Sequence, residues 1–292
     1  LLKSILLFMG SAAFAFCFCA FLHEGGHLIV FESVGIPRTG ISLHPFGWNY
    51  NLSLNEDGTF WQMSPEAENA DLISAINGGS GPILNLLLGV PIGLFFWKKR
   101  SPALLPLLMI GCWALLIEGY PMLEQAFGGG GDWYQVINGV GVPKALVVLL
   151  GVICFAGGCI WMLQLLPLAG ISAQDPFGRR LVVLLAGFPL FISGTVFYQL
   201  LFGVDMFVPS WNQYVTVSYI VIKHLIELGT AIIVMTALAA LHRPLSAWLD
   251  RLSHTPVAQV RWQAVLVSIG LAVVIIAVQW VFFNDPTAIV VR

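Results

Sequence analysis

The stretch FCAFLHEGGHLI, residues 18–29, places two histidines and a glutamate inside an otherwise apolar run. The run extends over about residues 2–31, which is long enough to cross a hydrocarbon core about 30 Å thick as a helix. An ionisable side chain at membrane depth is costly unless it is paired or used in function. The stretch therefore predicts a membrane-spanning helix with functional side chains near its C-terminal end.

The composition of the whole chain agrees with a membrane location. Of its 292 residues, 58% are hydrophobic and 10% are charged, and the mean hydropathy is +0.87, whereas soluble domains carry roughly 25% charged residues. The formal net charge of −2 gives no reason to expect a nucleic-acid partner. The five cysteines lie in apolar segments without metal-binding spacing, so we expect free thiols.

Hydropathy and length predict an all-α polytopic membrane protein with about seven transmembrane helices. The predicted spans are 2–31, 81–97, 103–120, 144–168, 181–204, 215–241 and 263–284. If the spans alternate, the Lys and Arg clusters fall on one side, which the positive-inside rule places in the cytoplasm. We therefore expect a multi-pass protein of a cell membrane, the inner membrane if the source is bacterial, with the histidines near the outer face.

The segment between the first two spans is the main polar region. NLSLNEDGTFW (51–61) alternates around Asp57-Gly58, which predicts a small β-hairpin within 46–62. Residues 64–76 predict a short surface helix with Ser64 as its cap. On this basis we divide the chain into a core, 1–168, and three additional helices of unknown role, 169–292.

The histidine spacing predicts a metal site. His23 and His27 are four residues apart, so on a helix they share one face and can reach one ion. Glu24 follows the first histidine and can serve as general base on a water molecule beside a zinc ion. The alternative, a satisfied pair of core histidines without a metal, would leave Glu24 at membrane depth unexplained.

A catalytic zinc usually takes three protein ligands, and two aspartates compete for the third position. Asp132 lies in the loop between the third and fourth predicted spans, and Asp175 lies between the fourth and fifth. Alternation of the spans puts Asp132 at the histidine end and Asp175 at the other, so topology favours Asp132. The alternative for Asp132 is a helix cap after the glycine run 128–131.

These motifs resemble the site-2 protease family of intramembrane zinc metallopeptidases. The HExxH of residues 23–27 lies in a predicted transmembrane helix, and GGSGPILNLLLG (78–89) is similar to the family's GPxxN segment. The resemblance implies that Asn85 helps to position the substrate backbone. It also implies a membrane-associated hairpin between the two motifs.

The third motif is similar to that of a shorter bacterial branch of the family. In GGGGDWYQVINGVGVP (128–143), Asp132 precedes a TGVP-like turn that ends at Pro143. The commoner LDG pattern is matched only loosely by residues 164–178, where Gln164 replaces an asparagine and Asp175 comes three residues late. The resemblance covers about residues 15–145 and agrees with topology on Asp132.

The resulting hypothesis is a zinc metalloendopeptidase that cleaves a membrane-anchored protein in or near the bilayer. His23, His27 and Asp132 would hold the zinc, Glu24 would be the general base, and Asn85 would bind substrate. The alternatives are a metal-binding transporter and a catalytically inactive protease-like scaffold.

Other polar residues in the apolar segments leave several readings open. In the transporter alternative, Lys223, His224 and Glu227 would belong to a permeation path; otherwise Lys223 and Glu227 can pair on one helix face. Glu118 either orients a metal ligand or extends to the membrane interface. The oligomeric state stays open.

Overall fold

The computed structural model of the chain describes residues 1–34, 39–43, 50–53, 69–127, 131–187, 217–249 and 256–283. These residues form eight α-helices, two short strands and two 3₁₀ turns, at Pro102–Leu104 and Leu166–Ala169. In chain order the elements are α1 Leu2–Ser33, β1 Thr39–Ser42, β2 Tyr50–Ser53, α2 Ala70–Trp97, α3 Leu105–Phe127, α4 Asp132–Val140, α5 Lys144–Leu165, α6 Phe177–Gly187, α7 Val217–Leu249 and α8 Trp262–Phe282.

Within the described residues, six helices are long and apolar enough to cross a membrane. They are α1, α2, α3 with its preceding turn, α5 with its following turn, the part of α7 from Leu228 to Leu249, and α8. The predicted span 181–204 is described only as far as the end of α6, and its remainder lies outside the described residues. The chain is thus a multi-pass helical membrane protein with six spans in its described part.

Helix α2 differs from the sequence prediction because it is a single element. The described part of the surface helix expected at 64–76 and the span expected from 81 are joined into one helix, Ala70–Trp97, while the predicted cap Ser64 lies outside the described residues. Glycine normally weakens a helix interior, but here neighbouring backbones pack against the glycine-rich turn. A Cβ added at Gly78 would lie 2.6 Å from the Asp132 carbonyl oxygen, and one added at Gly26 of α1 would overlap with the Ser80 carbonyl. Close packing therefore keeps the turn helical.

The two strands form an antiparallel pair. Thr39 lies opposite Ser53, and Ser42 lies opposite Tyr50. Strand β2 falls within the range predicted for a hairpin, 46–62, but it pairs with the preceding strand. The predicted turn at Asp57-Gly58 and its second strand lie outside the described residues, so the hairpin in that register is not shown.

Helix α1 lies at the centre of the bundle and contacts α2, α3, α6 and α8. It is apolar on all faces, as expected for a helix surrounded by others. The main buried cluster joins Leu7 of α1 to Leu105, Val183, Met235 and Val265 of four other helices. The core is therefore continuous across the first and last helices.

Polar contacts connect α1 to α8 along what we call the α1–α8 seam. The Ser11 and Ser268 hydroxyls lie 2.9 Å apart, the Ser268 hydroxyl donates to the Leu7 carbonyl at 3.1 Å, and the Gln279 amide donates to the Cys17 carbonyl at 2.8 Å. A Cβ added at Gly10 would lie 3.0 Å from the Ser268 hydroxyl. Small residues and interhelical hydrogen bonds of this kind hold helices together where lipid removes the hydrophobic driving force.

Described basic residues meet at the end of the bundle where α1 begins. The Lys3 ammonium lies 5.3 Å from the centre of the Trp262 ring, and Lys3 and Arg179 line one cavity. The Arg243 guanidinium donates to the carbonyls of Ala173 and Gln174. His23 lies about 30 Å further along α1, given a rise of about 1.5 Å per residue.

Candidate metal centre

Three metal-ligating side chains converge between α1 and the start of α4. The His23 Nε2 atom lies 3.0 Å from Asp132 Oδ2, the two Nε2 atoms of His23 and His27 lie 3.2 Å apart, and His27 Nε2 lies 3.6 Å from Asp132 Oδ2. His23, His27 and Asp132 are the group within the described residues that could hold a metal ion. The structure therefore brings together the three predicted ligands.

The triangle formed by His23 Nε2, His27 Nε2 and Asp132 Oδ2 has side lengths close to those that tetrahedral coordination of one metal ion requires. Zinc binds histidine nitrogen and carboxylate oxygen at about 2.0–2.2 Å, which places two ligand atoms of a tetrahedron about 3.3–3.6 Å apart. The three observed separations, 3.0, 3.2 and 3.6 Å, lie around this value. A metal ion would need only small shifts of the side chains.

Hydrogen bonds at the far side of each ring indicate which nitrogen carries the proton. His27 Nδ1 lies 2.7 Å from the Asn77 carbonyl oxygen, and His23 Nδ1 lies 2.9 Å from Glu118 Oε1. A carbonyl or carboxylate oxygen only accepts, so both Nδ1 atoms donate. In the neutral rings each Nε2 then presents a lone pair towards the centre, as it does when it binds a metal.

Close packing of α1 against α2 makes this geometry possible. A Cβ added at Gly81 would overlap with His27 Nε2, and one added at Gly26 would overlap with the Ser80 carbonyl. Gly25, in contrast, has open space around it. Of the two glycines in HEGGH, only Gly26 is thus required for the helices to meet.

The position of Asp132 depends on the turn that precedes α4. Gly131 has a φ of +95°, which residues other than glycine rarely adopt. The Trp133 amide donates to the Gln125 side-chain oxygen at 2.8 Å, which ties α4 to α3. Asp132 is the first residue of α4, after Gly131 at the cap position. Its carboxylate contacts the histidines instead of capping the helix.

The electrostatic surroundings of Asp132 favour its ionised form. Burial raises the pKa of the Asp132 carboxyl, but when the rings of His23 and His27 are protonated on Nε2 as well, their hydrogen bonds and charges outweigh burial and hold that pKa well below its usual range. Glu24 and Glu118 are buried nearby. Three carboxyl groups around two imidazoles make a site whose charge a divalent cation would offset.

A buried network supports His23 from the side away from Asp132. Glu118 Oε1 accepts hydrogen bonds from His23 Nδ1 at 2.9 Å and from the Asn85 amide at 2.7 Å. Glu118 and Asn85 are both fully buried, so Glu118 orients a ligand and does not extend to the interface. The Asn85 amide thus donates to Glu118 in this structure, and its contact with substrate stays a prediction.

A cavity of about 240 Å³ opens beside the three ligands. Its wall includes His23, Glu24, Glu118, Gln125 and Asp132. Glu24 is nearly buried, with 7% of its surface exposed, yet it lines this space. The cavity therefore gives the candidate metal centre a place for water and for a ligand, next to a carboxyl group that is not part of the triangle.

The remaining candidates lie elsewhere. Asp175 accepts a hydrogen bond from the Ser172 amide at 2.6 Å and pairs with Arg179 at 3.1 Å, in the turn before α6. The backbone of Lys223, His224 and Glu227 belongs to α7, but their side chains lie outside the described part of the structure.

Sequence reasoning did not single out the Asn77 carbonyl and the Gln125 side chain. The Asn77 carbonyl meets His27 across 50 residues of chain, and Gln125 meets the Trp133 amide eight residues later, across the glycine run. No local pattern marks a backbone carbonyl as a histidine partner. A glutamine shortly before the glycine run was the available hint for the second.

Comparisons with known proteins add no family assignment: no protein-family model matches the chain, and searches of curated proteins and of solved structures found no match.

Proposed function

We propose that the protein is a zinc-dependent intramembrane endopeptidase that cleaves peptide bonds of membrane-anchored proteins. The observation that carries the proposal is the convergence of His23 Nε2, His27 Nε2 and Asp132 Oδ2 beside a cavity that Glu24 lines. Two imidazoles and one carboxylate are a donor set typical of catalytic zinc, which uses three protein ligands and keeps a position open.

The residues that carry the resemblance to the site-2 protease family support this proposal. The HExxH helix, the glycine of the GPxxN segment and Asp132 come from three separate parts of the chain. Gly81 lies against His27, and Asp132 lies against His23. A set of unrelated motifs would have no reason to meet at one point.

The chain's own residues have distinct tasks in peptide hydrolysis. His23, His27 and Asp132 would hold the zinc, which when bound supplies Lewis-acid chemistry that acidifies water and polarises a carbonyl group. The Glu24 carboxylate takes the proton that the attacking water loses and passes it to the nitrogen of the leaving amine as the C–N bond breaks. Glu118 keeps the proton of His23 on Nδ1 throughout.

A membrane-spanning substrate must also expose its scissile bond. The carbonyl groups of a helix are hydrogen-bonded within the helix, so the substrate has to unwind locally before water can attack. The cavity beside His23 and Glu24 provides space for one extended stretch of backbone.

The test compares the wild-type protein with Glu24→Gln, Asp132→Ala and Asp175→Ala, all purified in nanodiscs. Zinc content is measured by elemental analysis, and cleavage is measured on a membrane-anchored reporter peptide. We expect about one zinc per wild-type chain. Glu24→Gln should keep the zinc and lose cleavage, Asp132→Ala should lose both, and Asp175→Ala should keep both.

Other results would contradict the proposal in identifiable ways. If the wild type holds no zinc, a proton on His23 Nε2 is shared with the two other atoms, His27 Nε2 and Asp132 Oδ2, and the site is a buried ion pair. If zinc binds but Glu24→Gln changes no cleavage, a transporter or an inactive scaffold accounts better for the site. If Asp175→Ala loses the zinc, the third ligand is wrong.

A further inference from the structure

A second cavity adjoins the one beside the candidate metal centre. It has a volume of about 180 Å³ and lies between α1, α3, α5 and α7. Phe16, Ile117 and Pro121 line both cavities. These shared side chains form a common wall of the two spaces, and we call the second one the apolar cavity.

The walls of the apolar cavity are almost entirely hydrocarbon and aromatic. Phe16 and Trp113 pack edge to face with ring centres 5.5 Å apart, and Tyr120 and Phe155 lie with ring centres 6.5 Å apart. Ala231 and Val234 of α7 close the remaining side. Ring faces and edges favour contact with another aromatic ring or with the sulfur of methionine.

The volume selects the size of the occupant. A dry apolar cavity of about 150 Å³ binds a benzene-sized molecule, so a cavity of about 180 Å³ accommodates the side chain of Phe, Leu or Met but is poorly filled by Ala. The cavity is too small for a second helix. It has the dimensions of a pocket for one side chain.

We propose that the apolar cavity is a specificity pocket that receives one large apolar side chain of the substrate, next to the scissile bond. This inference rests on the proposed peptidase function. Its support is that the two cavities share a wall formed by Phe16, Ile117 and Pro121, because a backbone extended past Glu24 then runs beside the apolar cavity and can place a neighbouring side chain in it. A side chain buried there would help to hold the unwound segment in place.

Ala231 offers a way to fill the pocket without touching the metal centre. It is 3% exposed and lines only the apolar cavity. Ala237, six residues later on the same helix, is exposed. Ala231→Leu therefore adds bulk inside the cavity, while the matched control Ala237→Leu adds the same atoms on the outer surface.

The first measurement is kcat/KM on reporters that differ at one residue beside the mapped cleavage site, with Ala, Leu or Phe at that position. For the wild type and for Ala237→Leu we expect cleavage of the Leu and Phe reporters at least about tenfold faster than the Ala reporter. Ala231→Leu should reduce this preference to within about threefold and leave the Ala reporter nearly unchanged. An unchanged preference, or an equal loss on all reporters by a folded, zinc-loaded variant, would overturn the proposal.

A second measurement does not depend on hydrolysis. The Glu24→Gln variant is irradiated with reporters that carry a photoreactive diazirine analogue of leucine scanned through their apolar segment, and cross-linked peptides are mapped by mass spectrometry. We expect one reporter position to cross-link to the stretch of α7 that contains Ala231 and Val234, and this product should disappear with Ala231→Leu. If the same cross-link still forms with Ala231→Leu, the reporter side chain does not enter the cavity, and lipid or another group fills it. A wild type that cleaves no reporter refutes the peptidase function, whereas the cross-link decides the pocket separately.

Discussion

Replacing Glu118 by glutamine tests whether the carboxylate behind His23 controls metal binding. Glu118 Oε1 accepts from both His23 Nδ1 and the Asn85 amide, and its Oε2 atom has no hydrogen-bond partner among the described residues. The glutamine has nearly the same shape but no charge. If its amide group turns towards His23, it places N–H against N–H and favours the tautomer with the proton on Nε2, which blocks the metal.

The magnitude follows from the place of Glu118 in the network. Loss of an outer partner of a metal-binding histidine typically lowers metal affinity 10- to 100-fold, which corresponds to about 1.4–2.8 kcal/mol. Glu118→Ala should cost more, because it leaves the buried His23 Nδ1 and the Asn85 amide without an acceptor. Glu118→Gln and Asn85→Ala should combine non-additively, since both act on the same hydrogen bonds.

The assay is a competitive zinc titration against a chromogenic chelator, with thermal unfolding measured on the same samples. Glu124→Gln is the matched control, because it makes the same chemical change six residues further along α3, and its zinc affinity should stay within about twofold of wild type. Wild-type affinity in both Glu118 variants, with intact folding, would refute the assignment of Glu118 as the residue that orients His23.

Three further predictions concern packing and metal linkage. Gly26→Ala should abolish zinc binding, because the added methyl group pushes α2 away from α1. Gly25→Ala meets open space and should retain the zinc, and the zinc content of both variants is measured by elemental analysis. Removing zinc with a chelator should lower the stability of the wild type by about 2.7 kcal/mol if the zinc had been present at 100 times its Kd, and Asp132→Ala should show no such change in its thermal melt. Gln279→Leu and Ser268→Ala break hydrogen bonds of the α1–α8 seam, and each should destabilise the protein by about 0.6–1.7 kcal/mol in reversible unfolding, with zinc stoichiometry unchanged.

The candidate metal ligands were accessible to sequence reasoning because two simple regularities place them. The period of the α-helix puts His23 and His27 on one face, and the alternation of spans puts Asp132 at their end of the bundle. The long apolar helices were also predictable, because length and hydropathy decide whether a helix can span lipid.

Contacts between distant parts of the chain were not accessible in this way. Asn85 and Glu118 are 33 residues apart, and only the packing of α2 on α3 turns the asparagine towards the glutamate. The continuity of α2 was missed because glycine in residues 77–81 signals a break locally, while α1 and α4 press against those glycines and keep the helix intact. Propensity is a weak guide where tertiary packing is this close.

The α1–α8 seam has a consequence for biogenesis. Ser11 reaches its partner Ser268 across 257 residues of chain, and synthesis at about 5–20 residues per second makes α1 wait roughly 10 to 50 s for that partner. The helix that carries the histidines is thus synthesised well before α8, and it can pack against α2, α3 and α4 while the seam is still open. Until α8 arrives, the polar groups of Ser11 and the Cys17 carbonyl lack the partners that they have in the complete bundle, so we expect the α1–α8 seam to be the latest of the contacts that hold α1 in place.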